Sequence, residues 1–313
     1  MRTIAVINQK GGVGKTTTAA NLGVALAARG KRVLLIDLDP QTHLTLSLDL
    51  EPSADHPSTY DVLTDGQAVD EAVREVRPDT WLLGSHIDLA GAEMELVSVV
   101  GREVILRDAL AAMQREYEFV FIDCPPSLGL LTVNALTAAG EVLVPLQPHF
   151  LALQGVGRLF ETVALVRDRL NPKLVVTGVL LCLYEAGTRL AAEVVDDLRQ
   201  FLERARGTGV PWAEAHIFAT VIRRNIKLAE CPSHGLTIFD YEPRSHGAAD
   251  YSRLAKEVLG ELEAADQPST PSTTEPAAAL AVDARTIPDD EPAPAASAAH
   301  GPVNDAEAIA NLA

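Results

Sequence analysis

Short runs of valine, isoleucine and leucine recur along this chain, and between them lie longer stretches in which apolar positions return every three or four residues. Residues 3–7, 32–36, 119–122, 141–146 and 174–183 are of the first kind: brief, β-branched and almost free of charge inside, as strands buried on both faces must be. Residues 16–28, 102–116, 128–138, 153–170 and 189–204 are of the second kind and predict amphipathic helices. Strand followed by helix, repeated, predicts an α/β fold: a mostly parallel, twisted sheet with helices on both faces. In such a sheet ligands bind beyond the carboxyl ends of the strands. A last helical period over 248–262 sets Tyr251, Leu254, Ala255, Val258, Leu259 and Leu262 on one stripe and predicts a helix packed on the core.

Beyond residue 263 the pattern stops. Residues 264–313 hold seven prolines, no aromatic residue and eight acids against one base, Arg285, a composition that cannot bury a core. The expectation is one folded domain over 1–263 and a disordered acidic tail over 264–313. The tail carries −7 of the chain's −17, so the domain itself is still acidic at −10, and nucleic-acid binding would need a local basic patch. No apolar run is long enough to span a membrane and nothing resembling a signal peptide precedes the first strand, so a cytoplasmic location is expected. Cys124, Cys182 and Cys231 are far apart and form no C-x-x-C pair, which predicts buried thiols rather than a metal or cluster site.

The first loop is the most specific feature. Residues 8–18 read Asn-Gln-Lys-Gly-Gly-Val-Gly-Lys-Thr-Thr-Thr between a predicted strand and a predicted helix, the context that a phosphate-binding loop requires. Gly11, Gly12 and Gly14, with Val13 among them, let successive N–H groups turn inward around an anion, and the helix adds its positive N-terminal end. Lys15 is placed to reach the β- and γ-phosphates and Thr16, followed by Thr17, to offer a hydroxyl to Mg2+. ATP and Mg2+ are the expected ligands. A glycine opens the general pattern; here Gln9 stands in its place and Lys10 follows.

Lys10-Gly-Gly-Val-Gly-Lys15-Thr-Thr resembles the deviant Walker A loop of the ParA/MinD ATPases. The resemblance implies a homodimer closed around ATP, in which Lys10 reaches the partner's nucleotide and neutralises the transferring phosphoryl group much as an arginine finger does. The second strand ends in Asp37-Leu-Asp39-Pro40. The family's second motif implies that Asp39 orients the attacking water and that Asp37 lies near Mg2+ or its shell; the same acids could instead cap a turn before Pro40. The strand at 119–122 runs into Asp123-Cys-Pro-Pro, which matches a Walker B acid holding Mg2+ through water, with the prolines stopping the strand. Residues 220–235, Thr-Val-Ile-Arg-Arg-Asn-Ile-Lys-Leu-Ala-Glu-Cys-Pro-Ser-His-Gly, resemble the chromosomal Soj branch. That resemblance implies Asn225 for the adenine pocket and Arg224, with Arg189, for DNA. Arg223 stands where the family usually has proline and adds a positive charge there. The three arginines could equally form solvated pairs with nearby acids.

The resemblance covers roughly residues 2–263. It implies an ATPase that dimerises with ATP, binds DNA non-specifically, is nucleoid-associated in that state, and partitions a chromosome or plasmid with a ParB-like partner whose basic N-terminal segment triggers it. Phosphate contacts without base readout suit such a cycle, being strong at low salt and reversible. A MinD-like membrane ATPase shares the loop but needs a basic amphipathic C-terminal helix. Here the last helix leads into acids that an anionic membrane repels, so no membrane partner is expected. An orphan relative that positions another cytosolic cargo would share every ATPase residue. A metabolic P-loop ligase of similar fold is disfavoured by residues 220–235.

Overall fold

The computed structural model describes residues 1–53, 56–149 and 152–261, which belong to one compact unit; the acidic tail expected over 264–313 lies outside the described residues. In chain order the elements are β1 (Arg2–Val6), α1 (Lys15–Ala27), β2 (Val33–Asp37), α2 (His43–Ser47), α3 (Thr59–Thr64), α4 (Val69–Ala72), β3 (Arg74–Arg77), β4 (Thr80–Leu83), α5 (Leu89–Glu95), α6 (Ile105–Ala111), β5 (Phe119–Asp123), α7 (Leu130–Ala138), β6 (Glu141–Leu146), α8 (Ala152–Arg169), β7 (Val175–Tyr184), α9 (Arg189–Ala205), β8 (His216–Ile217), β9 (Ile222–Arg223), α10 (Ile226–Glu230), α11 (Ile238–Tyr241) and α12 (His246–Leu259). The sheet order is β3-β4-β2-β5-β1-β6-β7-β8, with β9 beside the far end of β7. Every pairing is parallel except β3 with β4.

Alternate residues of each strand point to opposite faces, and the two faces build two cores. Ile4, Val6, Leu35, Phe119 and Phe121 pack under α1 and α12, which supply Leu22, Leu26, Tyr251 and Leu254. Ala5, Ile7, Ile36, Val120 and Ile122 pack on the other face under α7, α8 and α6, through residues such as Leu131, Phe160 and Leu106. Because β2 and β5 are buried on both sides, they read as continuous apolar runs. On α12 Tyr251, Leu254 and Ala255 are fully buried core residues, as expected, Val258 and Leu259 are half-buried against that core, and Leu262 lies outside the described residues.

Three departures from the sequence reading have local causes. The helix expected over 102–116 is only Ile105–Ala111, because the Asp70 carboxylate takes the amides of Gln114 and Arg115 at 2.7 and 3.3 Å and ends it. The β3–β4 hairpin extends the sheet by two strands. Leu183 adopts a left-handed φ of 51° at a register shift between Cys182 and Tyr184, a bulge that re-aims the end of β7 and places Arg223 and Arg224 beside it.

Candidate active site

The loop between β1 and α1 crosses the carboxyl end of the sheet. Gly12 and Gly14 have φ of 72° and 95°, which only glycine adopts cheaply, and Gly14 opens α1 in the left-handed conformation. No side chain caps α1, so its first amides face the loop's concavity. Lys15 is 7% exposed and Val13 is buried, while Gly11 and Gly12 are exposed and Thr16 and Thr17 half-buried. The thiol of buried Cys182 on β7 lies below the loop, 3.6 Å from where a Gly14 side chain would begin.

Strand register brings the acids to the same place. Asp37 and Asp123 are direct neighbours across β2 and β5. Following the alternation from Leu35 and Phe121, both point to the face that α1 covers, at the end where α1 begins. Asp37 is fully buried and accepts hydrogen bonds from the Thr45 amide (2.8 Å), the Thr45 hydroxyl (2.6 Å) and the Asp39 amide (3.2 Å). It therefore organises the loop that follows β2. Asp39 is 7% exposed, with one carboxylate oxygen accepting from the Gln41 amide at 3.0 Å. Asp123 differs: both of its oxygens are buried without a hydrogen bond of normal geometry.

Electrostatically, Lys15 faces three buried acids, Asp37, Asp39 and Asp123. Burial pushes the Asp37 carboxyl up to about 6. Burial, then the charge of Asp37, raises Asp123 well above the carboxylate range, opposed by the Thr16 hydroxyl and Lys15. Among the described residues no group of three or more His, Cys, Asp or Glu could hold a metal ion alone. A divalent ion brought in with phosphate oxygens, taking the Thr16 hydroxyl and water held by Asp123, fits this donor set. Cys124, Cys182 and Cys231 are buried and unpaired in disulfides, as expected from their spacing.

A pH effect follows from the two acids. A carboxyl whose folded pKa is raised takes up its proton in the fold before the unfolded chain does. For Asp37 the destabilising effect is therefore full above its folded value near 6 and gone below the ordinary carboxylate value. In EDTA, stability should rise as pH falls from 7 to 5, by on the order of 1 kcal/mol from Asp37, with Asp123 acting in the same direction. Asp123→Asn should flatten that rise and raise the metal-free Tm by a few degrees, about 2–4 °C per kcal/mol. Denaturant and thermal unfolding at pH 5, 6 and 7 read both effects.

At the rim, the Asn8 side chain donates to the Pro145 carbonyl (2.7 Å) and accepts from the Lys10 amide (3.0 Å). The exposed Lys10 ammonium lies 2.6 Å from His149 Nε2. His149, which the sequence reading missed, gives no local signal as an isolated histidine after a proline. Farther along the edge, Asn225 caps α10 through its side-chain oxygen, 2.9 Å from the Lys227 amide. Arg189 pairs with Glu193 at 2.9 Å and Arg224 with Glu185, both well exposed. Arg223 grips Asp250 of α12 through its side chain and its amide, and that carboxylate side chain is only 9% exposed. No helix among the described residues is long and apolar enough to cross a membrane.

Comparison with known proteins agrees with this geometry. Residues 1–176 match a family model described as an AAA domain. The chain is 45% identical over 256 residues to the sporulation initiation inhibitor protein Soj of Bacillus subtilis, covering 82% of this chain and 97% of that one. It is 42% identical over 262 residues to the chromosome partitioning protein ParA of Caulobacter vibrioides, covering 83% and 94%. Among solved structures it is similar to cobyrinic acid a,c-diamide synthase of Mycobacterium smegmatis with bound ADP and magnesium, at 39% identity, a TM-score of 0.69 and coverage of 83% and 94%. A phosphate loop with two lysines, Asp37 ending β2 with Asp39 just beyond it, and Asp123 ending β5, on a chain this close to Soj and ParA, place the protein in the Soj/ParA family of chromosome-partitioning ATPases.

Proposed function

We propose that this ATPase is a nucleotide-driven switch: ATP and Mg2+ close two subunits on one another, the dimer binds DNA without sequence preference, and hydrolysis triggered by a ParB-like partner releases it. The cycle would partition a chromosome or plasmid. The observation that carries the reading is the opposite placement of the loop's two lysines. Lys15 is buried at the start of α1, where it serves its own nucleotide; Lys10 is exposed at the rim beside α8, where it is available to a phosphate presented from outside. When bound, Mg2+ neutralises charge on the β- and γ-phosphates. Thr16 and Asp123 would hold it, Asp37 would keep the following loop in place, and Asp39 would orient the attacking water. The side-chain amide nitrogen of Asn225 is offered to the adenine edge.

Sedimentation of the purified protein with plasmid DNA or anionic liposomes, each with ATP and with ADP, tests the reading. Pelleting with DNA in ATP and not in ADP supports it. Pelleting with liposomes favours the membrane alternative. ATP turnover indifferent to DNA but dependent on ammonia and a carboxylate favours amide synthesis, the activity named for the solved relative.

The edge arginines separate into two kinds. Exposed pairs such as Arg189–Glu193 and Arg224–Glu185 are worth less than about 1 kcal/mol, so a phosphate can displace the acid. Arg189→Glu and Arg224→Glu should each weaken plasmid binding and lower its salt slope by about one, with Tm nearly unchanged. Arg223→Ala should instead cost about 1–3 kcal/mol of stability, because it takes the guanidinium from the Asp250 carboxylate and leaves only the backbone amide on it. DNA titration across a salt series, with thermal unfolding of each variant, distinguishes the two.

A further inference from the structure

The contact between Lys10 and His149 is built by the sheet. β1 and β6 pair in parallel with Val6 beside Leu143, and the Ile7 amide continues the ladder to the Leu143 carbonyl at 3.1 Å. That pairing delivers residues 8–10 to the end of β6. Asn8 then clamps the corner by donating to Pro145 and accepting from the Lys10 amide. On the other side the His149 carbonyl accepts from the Ala152 amide at 2.9 Å, the residue that opens α8. The Lys10 ammonium reaches His149 Nε2 at 2.6 Å.

An ammonium has donors only, so Nε2 must present its lone pair, and the imidazole is neutral with its proton on Nδ1. Burial first, and the Lys10 charge second, push the His149 pKa below its ordinary value, which favours the neutral ring. The pair borders a cavity of about 240 Å³ whose remaining lining includes Val13, Leu146, Ala152 and Gly155. Lys10 itself is exposed, so the contact is partly screened by water, strong enough to bias the side chain and weak enough to release it.

We propose that His149 is a positioning residue for Lys10: it holds the lysine on its own subunit until ATP brings a second subunit, and thereby sets how readily the dimer closes. This rests on the dimer reading above. Each closure frees two lysines, one per subunit, so the effect on the dimer constant is the square of the effect at one site. A charge-assisted bond at this exposure gives about threefold per lysine, hence about tenfold for the dimer.

The test uses full-length protein with a non-hydrolysable ATP analogue, the dimer constant being read by sedimentation velocity and the histidine titration by NMR. His149→Ala should tighten the dimer about tenfold without changing ADP affinity, and His149→Gln, whose amide oxygen still accepts from Lys10, should return it close to wild type. In Lys10→Ala the His149 pKa should rise, since the neighbouring cation is gone. A His149→Ala dimer no tighter than wild type, or a His149 titration indifferent to Lys10→Ala, would overturn the proposal. Wild-type protein that stays monomeric with the analogue would overturn the dimer reading itself, and that outcome is visible without any variant.

Discussion

Lys15→Ala should abolish ATP binding, whereas Lys10→Ala should leave it nearly intact and lose turnover. The two side chains are five positions apart on one loop, yet Lys15 is 7% exposed at the first turn of α1 and Lys10 lies outside the cradle against His149. Removing Lys15 takes the cation from the β- and γ-phosphates and leaves Asp37 and Asp123 facing them with less opposing charge. A loss of about 100-fold or more in ATP affinity is expected from a charge-assisted contact made in a buried site. In the proposed dimer Lys10 would act on the transferring phosphoryl group from the other subunit, so turnover of Lys10→Ala should fall by about 10³-fold, the scale of an arginine finger. Calorimetric titration with ATP at concentrations that keep the protein monomeric, together with steady-state phosphate release, measures both. Equal loss of ATP affinity in the two variants would count against a role across the interface.

Asp39→Ala should lower turnover by about 10²–10⁴-fold while ATP binding persists, so that the ATP-bound dimer accumulates on DNA. The geometry separates Asp39 from its neighbour: Asp37 has three hydrogen bonds that hold the loop, while Asp39 commits one oxygen to Gln41 and can turn the other toward water. The phosphate loop is untouched by the change. Light scattering with ATP, and DNA pelleting after ATP addition, should show a stalled complex. A variant that remains monomeric would reassign Asp39 to the turn before Pro40.

The phosphate loop and the acids at 37, 39 and 123 are legible in the sequence because each follows a strand buried on both faces, and such strands are unbroken apolar runs. β3 is not legible for the opposite reason. Arg74-Glu-Val-Arg has one apolar residue, which suffices at the edge of a sheet where half the strand faces water. β8 and β9 are two residues long, below any periodicity. Other contacts described above are long-range: Arg223 meets Asp250 across 27 positions and Lys10 meets His149 across 139. No local pattern encodes such pairs. They follow from which strands the sheet makes adjacent.

The central place of β1 has a consequence for how the chain comes to be folded. Of the strands in the sheet β1 is synthesised first, yet its neighbours are β5 and β6, whose pairing residues begin at Phe119 and Glu141. The phosphate loop is anchored by that pairing and by Asn8 reaching Pro145. During synthesis the nucleotide cradle therefore has no floor until some 140 residues later, and contacts of such long sequence separation are slow to form. Until then the apolar run Ile4 to Ile7, of β1 and the residue after it, is an edge open to other chains. Fragments that stop before β6 should be insoluble and unable to retain ATP, and bound nucleotide should report completion of the sheet's middle rather than formation of the loop.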